Sequence, residues 1–468
     1  MKKFIFCICA AAGLLSCTKE MTPREEAPAG VPMTFEIKVA GTKAAKADWA
    51  AGDVVYVFFN GIQGKYLTLT CGADGTWTNS PVGELTDEDF AGLGALTLTA
   101  VHFPVDVDVT YDDGQFFFAS GEKPVYNYYL FETENNYTVA GTTVRASISL
   151  GKPADMVLIH VADIQDNVAD YTFGCSKIRP VACMSVGDDG LVNESVLQPG
   201  ARMSGFADED GAVFAGRLVN PVAEFYSFTL SYMDPSTPAN DKIYSLERSS
   251  ALTAGKLYNF PALTSDSRWT ATPASDLYVD LGLPSGTKWA TCNLGATREW
   301  LYGDYFAWGE TTGYMTGKRS FTWSNYFDTP DGGETFNKYA LDKKTLIEPA
   351  DDAAYAALGG RFRMPTYEEW EELWKSNYCS WVWYAMDHGY RVTSKMSGYT
   401  DKSIFLPAAG RMVDRELYNQ GTVGNYWNAS LDGSDSDQSR FVSFSSETIY
   451  RAGDYRYRGQ SIRPVYAE

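Results

Sequence analysis

Between Met33 and about Leu263 the chain is written in short runs that alternate apolar and polar residues, and this pattern restricts the region to sheet structure. Thr34-Phe35-Glu36-Ile37-Lys38-Val39, Val54-Val55-Tyr56-Val57-Phe58-Phe59, Tyr66-Leu67-Thr68-Leu69-Thr70 and Ala95-Leu96-Thr97-Leu98-Thr99-Ala100-Val101 lie in the first half. Met156-Val157-Leu158-Ile159-His160-Val161, Gly211-Ala212-Val213-Phe214-Ala215-Gly216 and Phe225-Tyr226-Ser227-Phe228-Thr229-Leu230-Ser231-Tyr232 repeat the style in the second. Successive side chains of a strand point to opposite faces, so a period of two gives a half-buried strand, and the Gly, Asp and Asn residues between runs supply the turns. Helical periodicity is nearly absent here. The lengths predict two antiparallel β-sandwiches, 33–150 and 151–263. The 42 glycines and an aromatic content of 14% agree with abundant sheet and many turns.

The first residues predict where such a protein resides. Lys2 and Lys3 precede an apolar stretch from Phe4 to Leu15, too short to span a bilayer and suited to a secretion signal. It ends in Leu14-Leu15-Ser16-Cys17, a bacterial lipobox. The expectation is a signal peptide over 1–16, lipidation of the Cys17 thiol, and a polar, proline-rich tether over 17–32. That makes the chain an outer-membrane lipoprotein at the cell surface or on a fimbria, held by its acyl chains. A net charge of −20 argues against nucleic acid as a partner. Beyond the lipobox remain Cys71, Cys175, Cys183, Cys292 and Cys379. Being an odd set they cannot form a complete disulfide framework; buried free thiols are favoured, with Cys292–Cys379 and Cys175–Cys183 left open as pairs. Three histidines and no Cys-x-x-Cys give a zinc site little support.

After a polar linker, 264–275, the composition changes. Nine of the twelve tryptophans fall in 276–468, and one helix start stands out in Arg363-Met364-Pro365-Thr366-Tyr367-Glu368-Glu369-Trp370. Thr366 is a good N-cap, Glu369 three residues on completes a capping box, and Trp370, Leu373 and Trp374 follow at helical spacing as a core face. Arg363 is expected in a structural ion pair, with Pro365 and, near the end of the chain, Arg463 as further structural residues. An α+β domain is predicted. From Asp414 to Arg458 the chain is rich in Tyr, Asn, Ser, Asp and Arg and reads as an exposed loop. Such side chains combine large contact area with directional hydrogen bonds. Tyr418, Tyr426, Asn428, Asp432, Tyr450, Arg451, Tyr455, Arg456 and Tyr457 are therefore the candidate ligand-binding residues.

Two resemblances join these pieces. Lys46-Ala47-Asp48-Trp49-Ala50-Ala51-Gly52-Asp53-Val54-Val55-Tyr56-Val57 and Leu252-Thr253-Ala254-Gly255-Lys256-Leu257-Tyr258-Asn259-Phe260, together with the lipobox, resemble the fimbrillin-like lipoproteins of Bacteroides-type bacteria. That resemblance implies two transthyretin-like sandwiches. It also implies a role as pilus subunit, by strand donation, or as anchor or tip; Lys43 and Lys46 would then mark a protease cut, or are simply solvated. The Arg-Met-Pro-Thr element, Ser403-Ile404-Phe405-Leu406-Pro407-Ala408-Ala409-Gly410-Arg411, Gly424-Asn425-Tyr426-Trp427-Asn428-Ala429-Ser430 and Gly459-Gln460-Ser461-Ile462-Arg463-Pro464-Val465 resemble the family named for the Fibrobacter succinogenes major paralogous domain. The resemblance implies a C-type-lectin-like fold over 276–468, related to formylglycine-generating enzymes.

Neither chemistry of those relatives is expected to carry over. No cysteine follows Cys379, where the enzymes place their reactive pair. There is no Gly-x-Ser-x-Gly elbow, and Glu368 and Glu369 are adjacent on a helix and so point apart. The calcium-lectin motifs are broken at Ala350 and Ala429. The expectation is a binding protein, not an enzyme, without cofactor or metal. It would be a surface adhesin or fimbrial accessory protein taking a glycan or protein ligand, with other fimbrial subunits as further partners. The alternatives are a structural pilus subunit, a retroelement-diversified receptor, or a relative of the formylglycine-generating enzymes.

Overall fold

A computed structural model describes residues 30–39, 49–120, 123–124, 130–164, 167–208, 210–219 and 226–468. Cys17, Lys43 and Lys46 lie outside the described residues. The chain is mainly β, as its alternation predicts. In the first unit a seven-stranded sheet runs in the order Thr34–Val39, Thr143–Ile148, Leu130–Ala140, Thr97–His102, Val54–Phe59, Tyr66–Cys71, Trp77–Val82. Its first pair is parallel. The sheet curls until its two edge strands approach, and Asn79 Nδ2 donates to the Phe35 carbonyl across them at 3.1 Å. Inside the curl Val55, Val57, Phe59, Leu67, Leu69, Leu98 and Val144 form one core. Tyr56, Phe58, Val101 and Phe103 point the other way into a second core with Phe116, Phe118, Met184 and Val186. The strand Val54–Phe59 is thus apolar on both faces because both faces are covered.

The second core redraws the boundary expected at residue 150. Its outer sheet runs Val192–Val196, Val181–Gly187, Gln115–Ser120, Asp108–Asp112, so a hairpin from beyond 150 completes the first unit. Phe116 and Phe118 leave too much apolar surface for the Asp108–Ser120 hairpin to cover alone. Met184 and Val186 cover it, and Ser185 Oγ to Gln115 Oε1 at 2.6 Å and Thr99 Oγ1 to the Gly190 carbonyl at 2.6 Å fix the hairpin in place.

The second unit is a sandwich of two five-stranded sheets. One contains Met156–Ala162 beside Gly211–Leu218 and, in parallel, Lys256–Phe260; the other contains Tyr171–Gly174, Tyr226–Tyr232 and Lys242–Arg248. Val157, Ile159, Phe173, Phe214, Phe228, Leu230 and Phe260 fill the space between them. The segment expected to be a linker is part of this sandwich. Thr270–Pro273 pairs antiparallel with Lys242–Arg248, and Trp269 is buried in the core with its indole N–H on the Pro261 carbonyl at 2.9 Å. A polar composition concealed one anchoring tryptophan and an edge strand.

The last unit is α+β. Lys288–Ala290 and Phe362–Arg363 both pair with Val465–Tyr466, which brings the start, middle and end of the domain together. Cys379–Tyr384, Gly389–Ser394 and Ser403–Pro407 make a three-stranded sheet, and Gly424–Leu431, Gln438–Phe444 and Ile449–Tyr455 another. The expected 414–458 loop is therefore mostly strand. Trp289, Trp308, Trp370 and Trp427 are fully buried. The five described cysteines are free thiols, and burial pushes the Cys175 thiol up to about 12.

Candidate functional site

The helix Tyr367–Trp374 begins as its sequence dictates. Thr366 Oγ1 accepts from the Glu369 N–H at 3.3 Å, and Glu369 Oε2 accepts from the Thr366 N–H at 2.7 Å. Arg363 donates twice to Glu369, at 2.8 and 2.6 Å, and Thr287 Oγ1 donates once at 2.7 Å. Burial pushes the Glu369 carboxyl up, but the Arg363 guanidinium outweighs it and holds the group below its ordinary value. Trp370 and Leu373 face the core; Trp374, expected beside them, is half-buried. Tyr367, Glu371 and Trp374, at i, i+4 and i+7, form a second stripe along the helix, aimed at the strand Ile449–Tyr455. Pro365 is buried, its carbonyl accepting from Ala429 N–H at 2.7 Å. Arg463 is fully buried and donates to Asn293 Oδ1 and to the carbonyls of Ala290, Thr291 and Phe405.

The nine expected ligand-binding residues divide. Tyr426, Asn428 and Arg456 are core. The Tyr426 hydroxyl donates to the Pro407 carbonyl at 2.6 Å and accepts from Asn293 Nδ2 at 3.0 Å, and burial holds its pKa well above the ordinary value. Asn428 Oδ1 accepts from Ser430 N–H at 2.9 Å, while its carbonyl takes the Trp308 indole N–H at 2.8 Å. Arg456 lies over the Phe336 ring at 3.7 Å and donates to the Tyr339 carbonyl at 2.8 Å and Asp328 at 3.3 Å. All three side chains are fully buried and make their contacts inside the domain, so none is presented at the surface; Asn428 Nδ2 and Arg456 Nε and Nη2 have no hydrogen-bond partner among the described residues. Asp432 caps its own turn through the Ser434 N–H and hydroxyl. Tyr418, Tyr450, Arg451 and Tyr455 are exposed and Tyr457 is half-buried.

Four of those five residues lie on or just after one strand. Among the described residues Ile449–Tyr455 pairs only with Gln438–Phe444 and is the edge of its sheet. At its far end the Tyr455 and Tyr457 rings stack at 5.7 Å, and Trp323 sits edge-on, 4.9 Å from Tyr457 and 6.2 Å from Tyr455. Beneath them buried Asp454 accepts from Arg411 at 3.2 Å, Gln460 at 2.8 Å and Arg458. Arg411 in turn is the strand partner of Tyr418. At the near end Arg451 pairs with Glu371, and the guanidinium groups of Arg451 and Arg440 lie 5.1 and 4.5 Å from the Tyr367 ring. Beside this pair is an open groove of about 350 Å³ lined by Glu371, Trp374, Lys375 and Arg451. Trp323, Trp374 and Lys375 were missed in the sequence; the i, i+4, i+7 stripe was the available signal for Trp374.

A separate set of contacts fixes this domain to the second sandwich. Arg202, buried, donates to Thr172 Oγ1 at 2.9 Å, Thr229 Oγ1 at 2.8 Å and, across the junction, the Ala356 carbonyl at 3.2 Å. Burial lowers its pKa to about 10. The next carbonyls of the Ala353–Leu358 helix accept from Thr229 Oγ1 and Ser231 Oγ. A Cβ on Gly174 would lie 2.7 Å from Arg202 Nη1, and Gly359 ends the helix at φ 68 with a Cβ position 2.4 Å from Ser231 Oγ, so glycine is required at both. Tyr466 donates to Asp241 at 2.8 Å, Arg361 to the Asp234 carbonyl at 2.9 Å, and Gln198 to the Gly309 carbonyl at 2.7 Å and Asp351 at 2.6 Å. A third feature lies in the first unit: an open groove of about 790 Å³ between the edge strands Thr34–Val39 and Trp77–Val82, lined by Phe35, Glu36, Lys38, Trp77, Asn79 and Arg145.

Among the described residues no group of three or more His, Cys, Asp or Glu side chains is placed to hold a metal, and no helix is long and apolar enough to cross a membrane. No family model and no curated protein matches the chain. Among solved structures it is similar to a cell-adhesion candidate from Bacteroides ovatus, at 12% identity and TM-score 0.27, covering 52% of this chain and 96% of the other. A fimbrial protein from Bacteroides ovatus gives 12% identity and TM-score 0.22 over 94% of this chain and 99% of the other. The fimbrial anchor protein Mfa2 from Porphyromonas gingivalis gives 12% and 0.22 over 47% and 82%. These structural neighbours are fimbrial and adhesion proteins, but likenesses at such scores carry no argument about this chain's activity.

Proposed function

We propose that this chain is a surface-exposed, fimbria-associated adhesin, lipidated at Cys17, whose C-terminal domain binds a glycan or protein ligand through the face around the strand Ile449–Tyr455. The observation that carries the proposal is the clustering of exposed Tyr450, Arg451, Tyr455 and half-buried Tyr457 on or beside one edge strand, flanked by Trp323 at one end and Trp374 at the other. Aromatic and arginine side chains at an unpaired strand edge give contact area, directional donors and free backbone groups together. The junction hydrogen bonds on this domain's side involve Asp351, the Ala353–Leu358 helix, Arg361, Tyr466, 309–311 and Thr316, which leaves that face clear of them. The C-type-lectin-like assignment of this domain is part of the same proposal.

A glycan and protein array probed with residues 18–468 tests it. Signal on a defined ligand class that falls at least tenfold in a Tyr455→Ala/Tyr457→Ala double variant supports the assignment; equal signal from both proteins removes it. The groove between Thr34–Val39 and Trp77–Val82 favours a second role, as a subunit or partner that receives a strand from another fimbrial protein. Concentration-dependent polymers in purified protein, abolished by a disulfide closing those two edges, would establish that role in place of the first.

A further inference from the structure

The groove beside the Tyr367–Trp374 helix has a chemistry more specific than the aromatic face at the other end of the strand. Its wall is built from one helix stripe. Tyr367 lies beneath the guanidinium groups of Arg440 and Arg451, Glu371 pairs with Arg451, and Trp374 and Lys375 complete the rim. Trp370 and Leu373, one residue before Glu371 and Trp374, take the core side, so this stripe is free to face outward. The remaining acid at this end of the helix, Glu372, is turned away onto the Ser285 N–H at 3.1 Å.

Three kinds of demand meet in a volume of about 350 Å³. Trp374 is half-buried and lines the groove with a flat apolar surface, and its indole N–H makes no hydrogen bond among the described residues. Lys375 has no carboxylate partner among the described residues; its ammonium rests 5.7 Å from the Tyr378 ring. With Arg451 it makes two cations against the one carboxylate of Glu371. That excess is local and runs against a chain charge of −20. Glu371, ionised, can only accept hydrogen bonds.

We infer that this groove binds a single carboxylate-bearing sugar ring, a uronic-acid-type unit of an acidic glycan. Such a ring places its C–H face on Trp374, its carboxylate on Lys375 and Arg451, and its hydroxyl donors on Glu371. An acidic peptide places carboxylates on the cations but brings neither a C–H ring face for Trp374 nor adjacent hydroxyl donors for Glu371. A neutral sugar satisfies Trp374 and Glu371 and leaves Lys375 unused. Pockets of this size hold a ligand of a few hundred daltons. The inference rests on the proposed adhesin function and specifies its ligand at one end of the strand.

Titration of residues 18–468 with trigalacturonic acid, its carboxyl-methylated form and a tetraglutamate peptide, read by calorimetry, tests it. The expected result is binding of the acidic trisaccharide. The affinity falls at least tenfold for the methylated form, for Trp374→Ala and for Arg451→Gln, with no measurable binding of the peptide. Lys375→Glu alters an exposed side chain outside the core; with its fold checked by circular dichroism, it too should lose at least tenfold. Absence of trisaccharide binding, equal affinity for the methylated form, or tighter binding of the peptide overturns the inference. Array signal lost in Tyr455→Ala/Tyr457→Ala but kept in Trp374→Ala and Lys375→Glu overturns the groove alone; array signal unaffected by every one of these variants overturns the adhesin face as well.

Discussion

The junction with the second sandwich and the strand Ile449–Tyr455 belong to the same C-terminal domain and spend their polar groups in opposite ways. At the junction the donors of Arg202, Thr229, Ser231, Gln198, Arg361 and Tyr466 meet hydroxyl, carbonyl or carboxylate oxygens. Arg202 is buried without a carboxylate partner among the described residues and is held by oxygens from both units, and two glycines are fixed by the closeness of approach. At the edge strand, tyrosines, arginines and one backbone edge are left facing solvent. A buried polar junction fixes orientation because each group left unpaired there costs about 1–3 kcal/mol. An exposed edge costs little to alter and is free to make contacts elsewhere. Fixed orientation on one side and open chemistry on the other suit a domain that presents a surface at a defined position.

That contrast can be broken or sharpened by substitution. The largest effect is expected for Arg202→Ala, which strands the Ala356, Thr172 and Thr229 oxygens and should destabilise the protein by about 3 kcal/mol or more in urea unfolding. Glu369→Ala comes next: it removes the capping box, the Arg363 pair and the Thr287 contact, for about 2 kcal/mol. Tyr466→Phe loses the hydroxyl's donation to Asp241, for which the Pro238 carbonyl is the alternative acceptor, and should cost about 1 kcal/mol. On the edge strand Tyr450→Ala should stay within about 0.5 kcal/mol of the parent, since the side chain is exposed and outside the cores. A large loss there would show that the strand is structural after all.

A pH dependence belongs to the junction side. Asp352 caps the helix that meets Arg202, accepting from the N–H groups of Ala354, Tyr355 and Met364, yet burial raises its carboxyl to about 6. Its folded value lies above its unfolded one of 3.8. The folded state therefore binds the proton more tightly, and the stabilisation is fully present below pH 3.8 and lost as pH rises through 6. Asp352→Asn should flatten the Asp352-dependent part of stability between pH 4 and 7 in urea titrations; an unchanged slope would assign it elsewhere.

Local chemistry was legible in the sequence wherever it was decided within a few residues. The Thr366–Glu369 box, the Trp370 and Leu373 core face and the alternating strands all follow from spacing alone. Relations between distant segments were not. Nothing near Val181 shows that Met184 and Val186 will cover Phe116 and Phe118, and the polar composition of 264–275 hides the burial of Trp269. Tyr426, Asn428 and Arg456 look like surface residues because their partners, Pro407, Trp308 and Tyr339, come from other segments. Tyr418, Tyr450, Arg451 and Tyr455 remained exposed, the last three on a strand that nothing covers along most of its length.

The most direct measurement is surface plasmon resonance of residues 18–468 on the ligand class identified by array, comparing the parent with Tyr455→Ala/Tyr457→Ala and with Tyr466→Phe at matched thermal stability. The account predicts at least a tenfold rise in Kd for the edge-strand variant and an unchanged Kd for the junction variant. Equal affinity of the edge-strand variant and the parent would contradict it.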